Sequence, residues 1–208
     1  MKGLFITVEG PDGSGKTTQI KELEKYFINK GYEVILTREP GGTKISEKIR
    51  NIILDIENKE LSDMTEALLY AASRAQHVKE KIKPAIDEGK IVISDRFVDS
   101  SIVYQGYARG IGIEIIEEIN KFAIQNTMPD ITFFFDIEPK LAMKRKVSQK
   151  ALDRLENENM SFHNLVYKGY KILADRYPNR IKVINARNSI EEVREQILRE
   201  LKVFLKEG

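Results

Sequence analysis

Gly10-Pro11-Asp12-Gly13-Ser14-Gly15-Lys16-Thr17-Thr18 is the stretch that decides the fold. It fits the pattern G-x-x-x-x-G-K-[ST], a phosphate-binding loop. Its three glycines allow turns that a Cβ would obstruct, so successive N–H groups can point at one phosphate. Lys16 adds a mobile positive charge for β- and γ-phosphates, and the Thr17 hydroxyl can ligate Mg²⁺. Working outward, Leu4-Phe5-Ile6-Thr7-Val8 is a short apolar, β-branched run that reads as a buried strand. On the other side, Ile20, Leu23, Tyr26 and Phe27 recur at helical spacing. Strand, loop and helix form the context in which this motif binds phosphate, with the helix's positive end facing the anion. A glycine-rich turn of an ordinary α/β protein is the competing reading.

The rest of the chain repeats that alternation. The first helix, 16–30, stops at Gly31, and Glu33–Thr37 is a second strand. The loop Arg38-Glu39-Pro40-Gly41-Gly42-Thr43 follows, then a helix from Ile45 to about Asp55. A long helical region runs from 63 to Glu88, with an interruption expected before Pro84. Ile91–Ser94 is the third strand, and 99–126 is helical with a break at Gly106–Gly112. Ile131–Phe135 is the fourth strand, followed by a helix from Pro139 to Val147. After a charged stretch to about Asn159 come a helix to Tyr177, a fifth strand at Ile181–Ile184 and an amphipathic helix over 189–206. Five strands alternating with helices predict an α/β fold in three layers, helix–sheet–helix, with a parallel sheet. Ligands of such sheets sit at the carboxyl ends of the strands.

The 208 residues suit one domain with room for a mobile insert, and 41% apolar residues supply a substantial core. Thirty-four basic residues nearly cancel 32 acidic ones, which gives no support for a nucleic-acid-coating protein. There is no cysteine, hence no disulfide and no thiolate metal site. No apolar run approaches the ~20 residues of a membrane helix. Met1-Lys2-Gly3 leads into the first strand without a secretory pattern, so a cytoplasmic protein with no membrane partner is expected.

Two strands end in an aspartate, Asp95 and Asp136, and either can hold Mg²⁺ directly or through water. Asp95 is followed by Arg96, one acid for metal and one guanidinium for phosphate, which is what phosphoryl transfer needs. Asp136 is read instead as a cap on the helix after Pro139. Tyr70 and Arg74 share a helix face, where a ring and a fork of donors can stack on a base and read its edge. The competing readings are a core position for Tyr70 and a solvated side chain for Arg50, which otherwise can reach the same cleft. His77 and His163 are read as surface or packing residues.

With Glu39-Pro40-Gly41-Gly42-Thr43, Arg74-Ala75-Gln76, Asp95-Arg96-Phe97-x-x-Ser100-Ser101-x-x-Tyr104-Gln105-Gly106 and Leu152-Asp153-Arg154-Leu155-Glu156 added to the loop, nearly the whole chain resembles the thymidylate kinase family, and its bacterial branch best. The resemblance implies the five-stranded nucleoside-monophosphate-kinase sheet of the P-loop NTPases, a homodimer, and direct transfer of the γ-phosphate of ATP to dTMP with Mg²⁺. On the ATP side it implies Gly10 to Thr18 (Pro11, Asp12, Gly13, Ser14, Gly15 and Lys16 included) with Arg145 and Arg187. On the dTMP side it implies Asp12, Glu39, Pro40, Arg50, Tyr70, Arg74, Arg96, Ser101, Tyr104 and Gln105. Tyr70 would stack on thymine, Arg74 and Gln105 would serve the base edge, and Tyr104 would crowd the 2′ position. Arg50 and Arg96 would hold the acceptor phosphate, and Thr17 and Asp95 the metal. Stretch 144–159 matches a lid over ATP, with Arg145, Lys146, Lys150 and Arg154 as its cations and Asp153 and Glu156 orienting it. Because Gly13 stands where one branch of the family carries an arginine, the cation on the migrating phosphoryl group is expected from the lid, Arg154 first and Arg145 second. The catalytic set is thus Lys16, Arg96, Arg154 and Asp12. Phe97 and Leu155 depart from common family residues, and Leu155 lacks the hydroxyl of the tyrosine that reaches the acceptor sugar in some members. The rivals are another nucleoside-monophosphate kinase, a GTP-binding switch and a non-catalytic scaffold. The switch reading lacks an Asn-Lys-x-Asp guanine reader, and the scaffold reading conflicts with the retained Lys16 and Arg96.

Overall fold

The computed structural model describes residues 3–145 and 153–206. Five parallel strands form one sheet: β1 (Leu4–Glu9), β2 (Val34–Arg38), β3 (Ile91–Asp95), β4 (Ile131–Asp136) and β5 (Ile181–Asn185), in the order β2-β3-β1-β4-β5. Leu4 pairs with Ile91 on one side of β1, and Ile6 pairs with Ile131 on the other. β1 is therefore central, and the chain leaves it where its neighbours connect in opposite directions. That is the switch point at which an open α/β sheet makes its crevice.

Helices cover both faces, because side chains alternate along every strand. Ile6 and Val8 of β1, with Phe133 and Phe135 of β4, face α1 (Lys16–Asn29) and the final helix. Phe5 and Phe134 face the other layer, where Val78, Val98, Ile116 and Leu173 complete the core. Each fully buried phenylalanine of this kind contributes ~1.5–3 kcal/mol. The second layer holds α3 (Asp63–His77), α4 (Lys83–Asp87), α5 (Val98–Ser101), α6 (Ile113–Ile124) and α8 (Met160–Arg176), with α2 (Lys44–Leu54) packed on α3; α7 (Pro139–Arg145) sends Ala142 into the core of the first face, and α9 (Ile190–Leu205) closes the chain.

Both expected helix interruptions take the same form. Before Pro84 the backbone widens into a π-helical segment, Val78–Ile82, which accommodates a residue without an N–H. A second π-helical segment, Ile102–Ala108, carries Tyr104 and Gln105 and precedes a turn with Gly110 and Gly112 at positive φ. The expected lid, 144–159, falls partly outside the described residues, Lys146 and Lys150 among them. Asp136 is a correction: its carboxylate accepts from the Tyr167 hydroxyl at 2.6 Å and from Lys171 at 3.0 Å on α8, so it ties β4 to α8.

Candidate active site

The phosphate loop spans the end of β1 and the start of α1. Gly10 has φ +132°, and a Cβ there would stand 2.9 Å from the Phe135 carbonyl oxygen. Gly15, at φ +95°, caps α1 with no side chain of its own, so the helix's first N–H groups stay open. Lys16 is buried and curls over the loop, its Nζ donating to the carbonyls of Gly10 at 3.0 Å and Pro11 at 3.1 Å. Burial, then the nearby Arg96 guanidinium, hold its pKa below the ordinary lysine value. The Ser14 hydroxyl is buried without a partner among the described residues.

Arg96 joins the loop to the opposite wall. Its Nη2 donates to Asp12 at 2.8 Å, while Nη1 donates to the hydroxyls of Ser100 at 3.3 Å and Tyr170 at 3.2 Å. The residue sits at φ +70°, a conformation that costs a non-glycine residue about 1–2 kcal/mol. Two backbone bonds hold it there, from Arg96 N–H to Val8 O and from Ser94 Oγ to Arg96 O. Behind it lies Glu9, wholly buried, which sequence reasoning missed. Its carboxylate accepts from Phe97 N–H at 2.8 Å, Ser100 Oγ at 2.6 Å and the Tyr170 hydroxyl at 2.8 Å. The two hydroxyls that orient Arg96 are therefore themselves oriented by Glu9. Burial, and secondly the Asp99 carboxylate, push the Glu9 carboxyl up to about 7.

On the far side, Tyr70 lines the cleft and packs with Ile53 and Leu155. Leu155 thus serves as an apolar wall and offers no hydroxyl for a sugar contact. Arg74 is almost fully buried. It donates from Nε to Glu39 at 2.8 Å, from Nη1 to Asn120, and from Nη2 to Phe97 O at 3.2 Å and Ser101 Oγ at 3.1 Å. That engages four of the guanidinium's five N–H groups. Glu39 also faces His77 Nδ1 at 3.0 Å, whose Nε2 meets the Thr37 hydroxyl at 2.7 Å. Of the two readings for His77, packing holds: it is wholly buried as a brace under Glu39. His163 lines the cleft, its Nε2 buried and without a partner among the described residues. Arg50 donates to Pro40 O at 2.7 Å, so both stand at the cleft edge. Arg96 lies 5.5 Å from the Tyr104 ring centre.

Asp95 and Thr17 border the phosphate loop together. Asp95 Oδ1 is buried with no hydrogen-bond partner among the described residues, and Thr17 is exposed beside it. An orphaned carboxylate oxygen and a hydroxyl fit a hard cation that keeps most of its ligands from phosphates and water. Among the described residues no cluster of three or more acids or histidines forms a dedicated metal cage. Arg145 and Arg187 meet on the loop after β5. Arg145 donates to Ala186 O at 2.6 Å and Arg187 O at 3.0 Å, and Arg187 pairs with Glu138. Arg154 goes elsewhere: it pairs with the buried Glu66 and donates to Ile53 O at 2.9 Å. It is not brought to the phosphate loop. Asp153 caps the following turn, accepting from Leu155 N–H at 3.0 Å and Glu156 N–H at 2.9 Å.

These walls enclose a cleft of about 520 Å³. At one end it meets a phosphate loop, and at the other a pocket with a ring, a buried arginine and an amide. Between them stand Arg96 and Arg50. A P-loop phosphotransferase that brings a nucleotide acceptor to a nucleoside triphosphate is the class these features define. The family model described as thymidylate kinase matches residues 8–197. The chain is 53% identical to a thymidylate kinase of Oceanobacillus iheyensis over 100% of this chain and 93% of that protein. It is 54% identical to one of Clostridium novyi, covering 99% of each. A crystal structure of thymidylate kinase from Ehrlichia chaffeensis superposes with a TM-score of 0.79 at 36% identity, covering 97% of this chain and 99% of that one. The chain belongs to the thymidylate kinase family, and its reaction is the phosphorylation of dTMP to dTDP with ATP as donor.

Proposed function

We propose that the phosphoryl group passes directly, in line, from ATP on the Gly10–Thr18 loop to dTMP in the Tyr70–Gln105 pocket. The observation that carries this reading is the 2.8 Å bond between Arg96 and Asp12, which joins the donor loop to the acceptor wall. Lys16 leaves the loop carbonyls for the β- and γ-phosphates. Arg96 and Arg50 take the acceptor phosphate, and Asp12 orients Arg96 and borders the acceptor sugar. Tyr70 stacks on the base. Arg74 and Gln105 face the base edge, with Ser101 beside them and Tyr104 against the 2′ position. Glu39 and Pro40 shape the intervening loop, while Arg145 and Arg187 border the nucleoside end of ATP. Thr17 and Asp95 hold Mg²⁺, which when bound neutralises charge on the donor phosphates.

No strong general base is required, because the attacking oxygen of the acceptor phosphate is already anionic. The task left to the chain is positioning and charge neutralisation. Arg154, engaged by Glu66, is ranked below Lys16 and Arg96 for the charge on the migrating group. The test is ADP release with ATP and Mg²⁺ against the monophosphates of thymidine, deoxyuridine, uridine, cytidine, adenosine and guanosine. Turnover fastest with thymidine monophosphate is expected. Faster turnover with a purine monophosphate would refute the pocket assignment, and ATP consumption blind to every acceptor would refute the transfer.

A homodimer is part of the same proposal. Leu68 on α3 is 51% exposed and Phe122 on α6 is 85% exposed, and α3 packs beside α6. Two large apolar side chains on adjacent helices are the kind of surface that a second copy covers. Sedimentation equilibrium should give twice the chain mass for the native protein and the chain mass for Phe122→Glu. A native monomer at micromolar concentration would dismiss it. Among the described residues no helix is long and apolar enough to cross a membrane.

A further inference from the structure

The buried carboxylate of Glu66 is unused by the transfer itself. It lies on α3 with no solvent exposure. Three groups donate to it: Gln105 Nε2 at 2.8 Å, Arg109 Nη2 at 3.4 Å and Arg154 Nη2. Gln105 itself is almost fully buried and lines the cleft. Its other amide atom, Oε1, is buried and has no hydrogen-bond partner among the described residues.

A side-chain amide is nearly symmetric in shape, so packing alone does not choose between its two orientations; hydrogen bonding does. A carboxylate only accepts. Opposite Glu66 the amide must present its NH₂, and the oxygen must then face away. We infer that Glu66 is a specificity-setting positioning residue: by fixing the Gln105 amide it makes the pocket present an acceptor to the base. The inference rests on the reading that Gln105 faces the acceptor base.

The chemical consequence is selection at one ring position. Thymine and uracil carry an imide N–H at position 3, which can fill the unpartnered acceptor. Cytosine carries a lone pair there, and two acceptors would face each other in a buried site. A site with a buried polar group that the wrong ligand leaves unpaired discriminates far more strongly than one that differs by shape. The two arginines on Glu66 serve the same end. They satisfy the carboxylate's remaining lone pairs, so its orientation does not depend on the amide alone.

The test compares kcat/KM for thymidine and deoxycytidine monophosphates in the native protein, Glu66→Gln and Gln105→Ala. A glutamine at 66 can donate as well as accept, so the amide at 105 becomes free to turn. The expected result is a fall of about tenfold or more in the thymidine-to-deoxycytidine ratio. Part of that fall should be a gain in kcat/KM for the deoxycytidine substrate, which loss of fold does not produce. The thymidine loss should lie mainly in KM. If Gln105→Ala lowers kcat/KM for thymidine monophosphate but Glu66→Gln leaves the ratio unchanged, the Glu66 inference is wrong and the pocket reading stands. If Gln105→Ala changes nothing, the pocket reading fails and takes the inference with it. If Glu66→Gln does not fold, the native protein decides by NMR. The Gln105 side-chain NH₂ resonances should move little when thymidine monophosphate binds, because they face Glu66. A large shift with direct contacts from those protons to the base would overturn the inference.

Discussion

Lys16→Met is expected to lower kcat by about 10²–10³-fold, the usual effect of removing one preorganised group from developing charge. Methionine matches the unbranched stem of lysine as far as Cε and removes the terminal ammonium with its charge and donors. The loop itself should persist, since its shape comes from Gly10 at φ +132° and Gly15 at φ +95°, not from the lysine. In the structure Nζ already stands over the loop, 3.0 Å from Gly10 O and 3.1 Å from Pro11 O. It therefore moves a short way to meet phosphate, and little ordering remains to be done when ATP arrives. Burial that lowers its pKa also means that an anion in the loop gains a poorly hydrated partner. Steady-state kinetics and direct ATP binding should be measured together. A variant with kcat within tenfold of the native value would show that Arg96 suffices and that Lys16 only shapes the empty loop.

Arg74→Ala is expected to destabilise the fold by about 3–5 kcal/mol, the cost of stripping one partner from a buried ion pair. The side chains of Arg74 and Glu39 are 1% and 3% exposed, and they meet at 2.8 Å. Without the guanidinium, the Glu39 carboxylate keeps only His77 among the described residues, and Asn120 Oδ1, Ser101 Oγ and Phe97 O lose this donor. Arg74→Lys should restore less than half of the loss. One ammonium cannot reproduce a planar fork that reaches a carboxylate, an amide oxygen, a carbonyl and a hydroxyl at once. Urea titration of the two variants checks both statements. A loss under ~1 kcal/mol for alanine would mean that water enters and satisfies Glu39. The same substitution should raise KM for the acceptor, because Ser101 and the Phe97 carbonyl lose their common anchor.

Much of this site is legible along the chain. The glycines, Lys16 and Thr17 lie within one loop, so their chemistry follows from local backbone geometry. Asp95 and Arg96 end a strand whose apolar run is plain, and the carboxyl-edge rule brings them to the same crevice. The reach of Arg154 was not legible in this way. Its motif suggests a phosphate-facing lid, yet a carboxylate 88 positions away, buried on α3, engages it. Asp136 reads as a cap from its place before Pro139, but α8 brings Tyr167 and Lys171 to it first.

Glu9 and Glu66 show where the boundary lies. Each is an unremarkable acid in the sequence, one at the end of a strand and one on the first turn of a helix. The sequence alone determined the alternation of strands and helices, the phosphate loop and the edge of the sheet that would bear the chemistry. All of these depend on residues within a few positions of one another. Only the tertiary structure decided which buried carboxylate meets which guanidinium, hydroxyl or amide. Those partners are 35 to 161 positions apart. Their meeting depends on strand order and helix packing, and a buried charge takes whichever partner that packing leaves within reach.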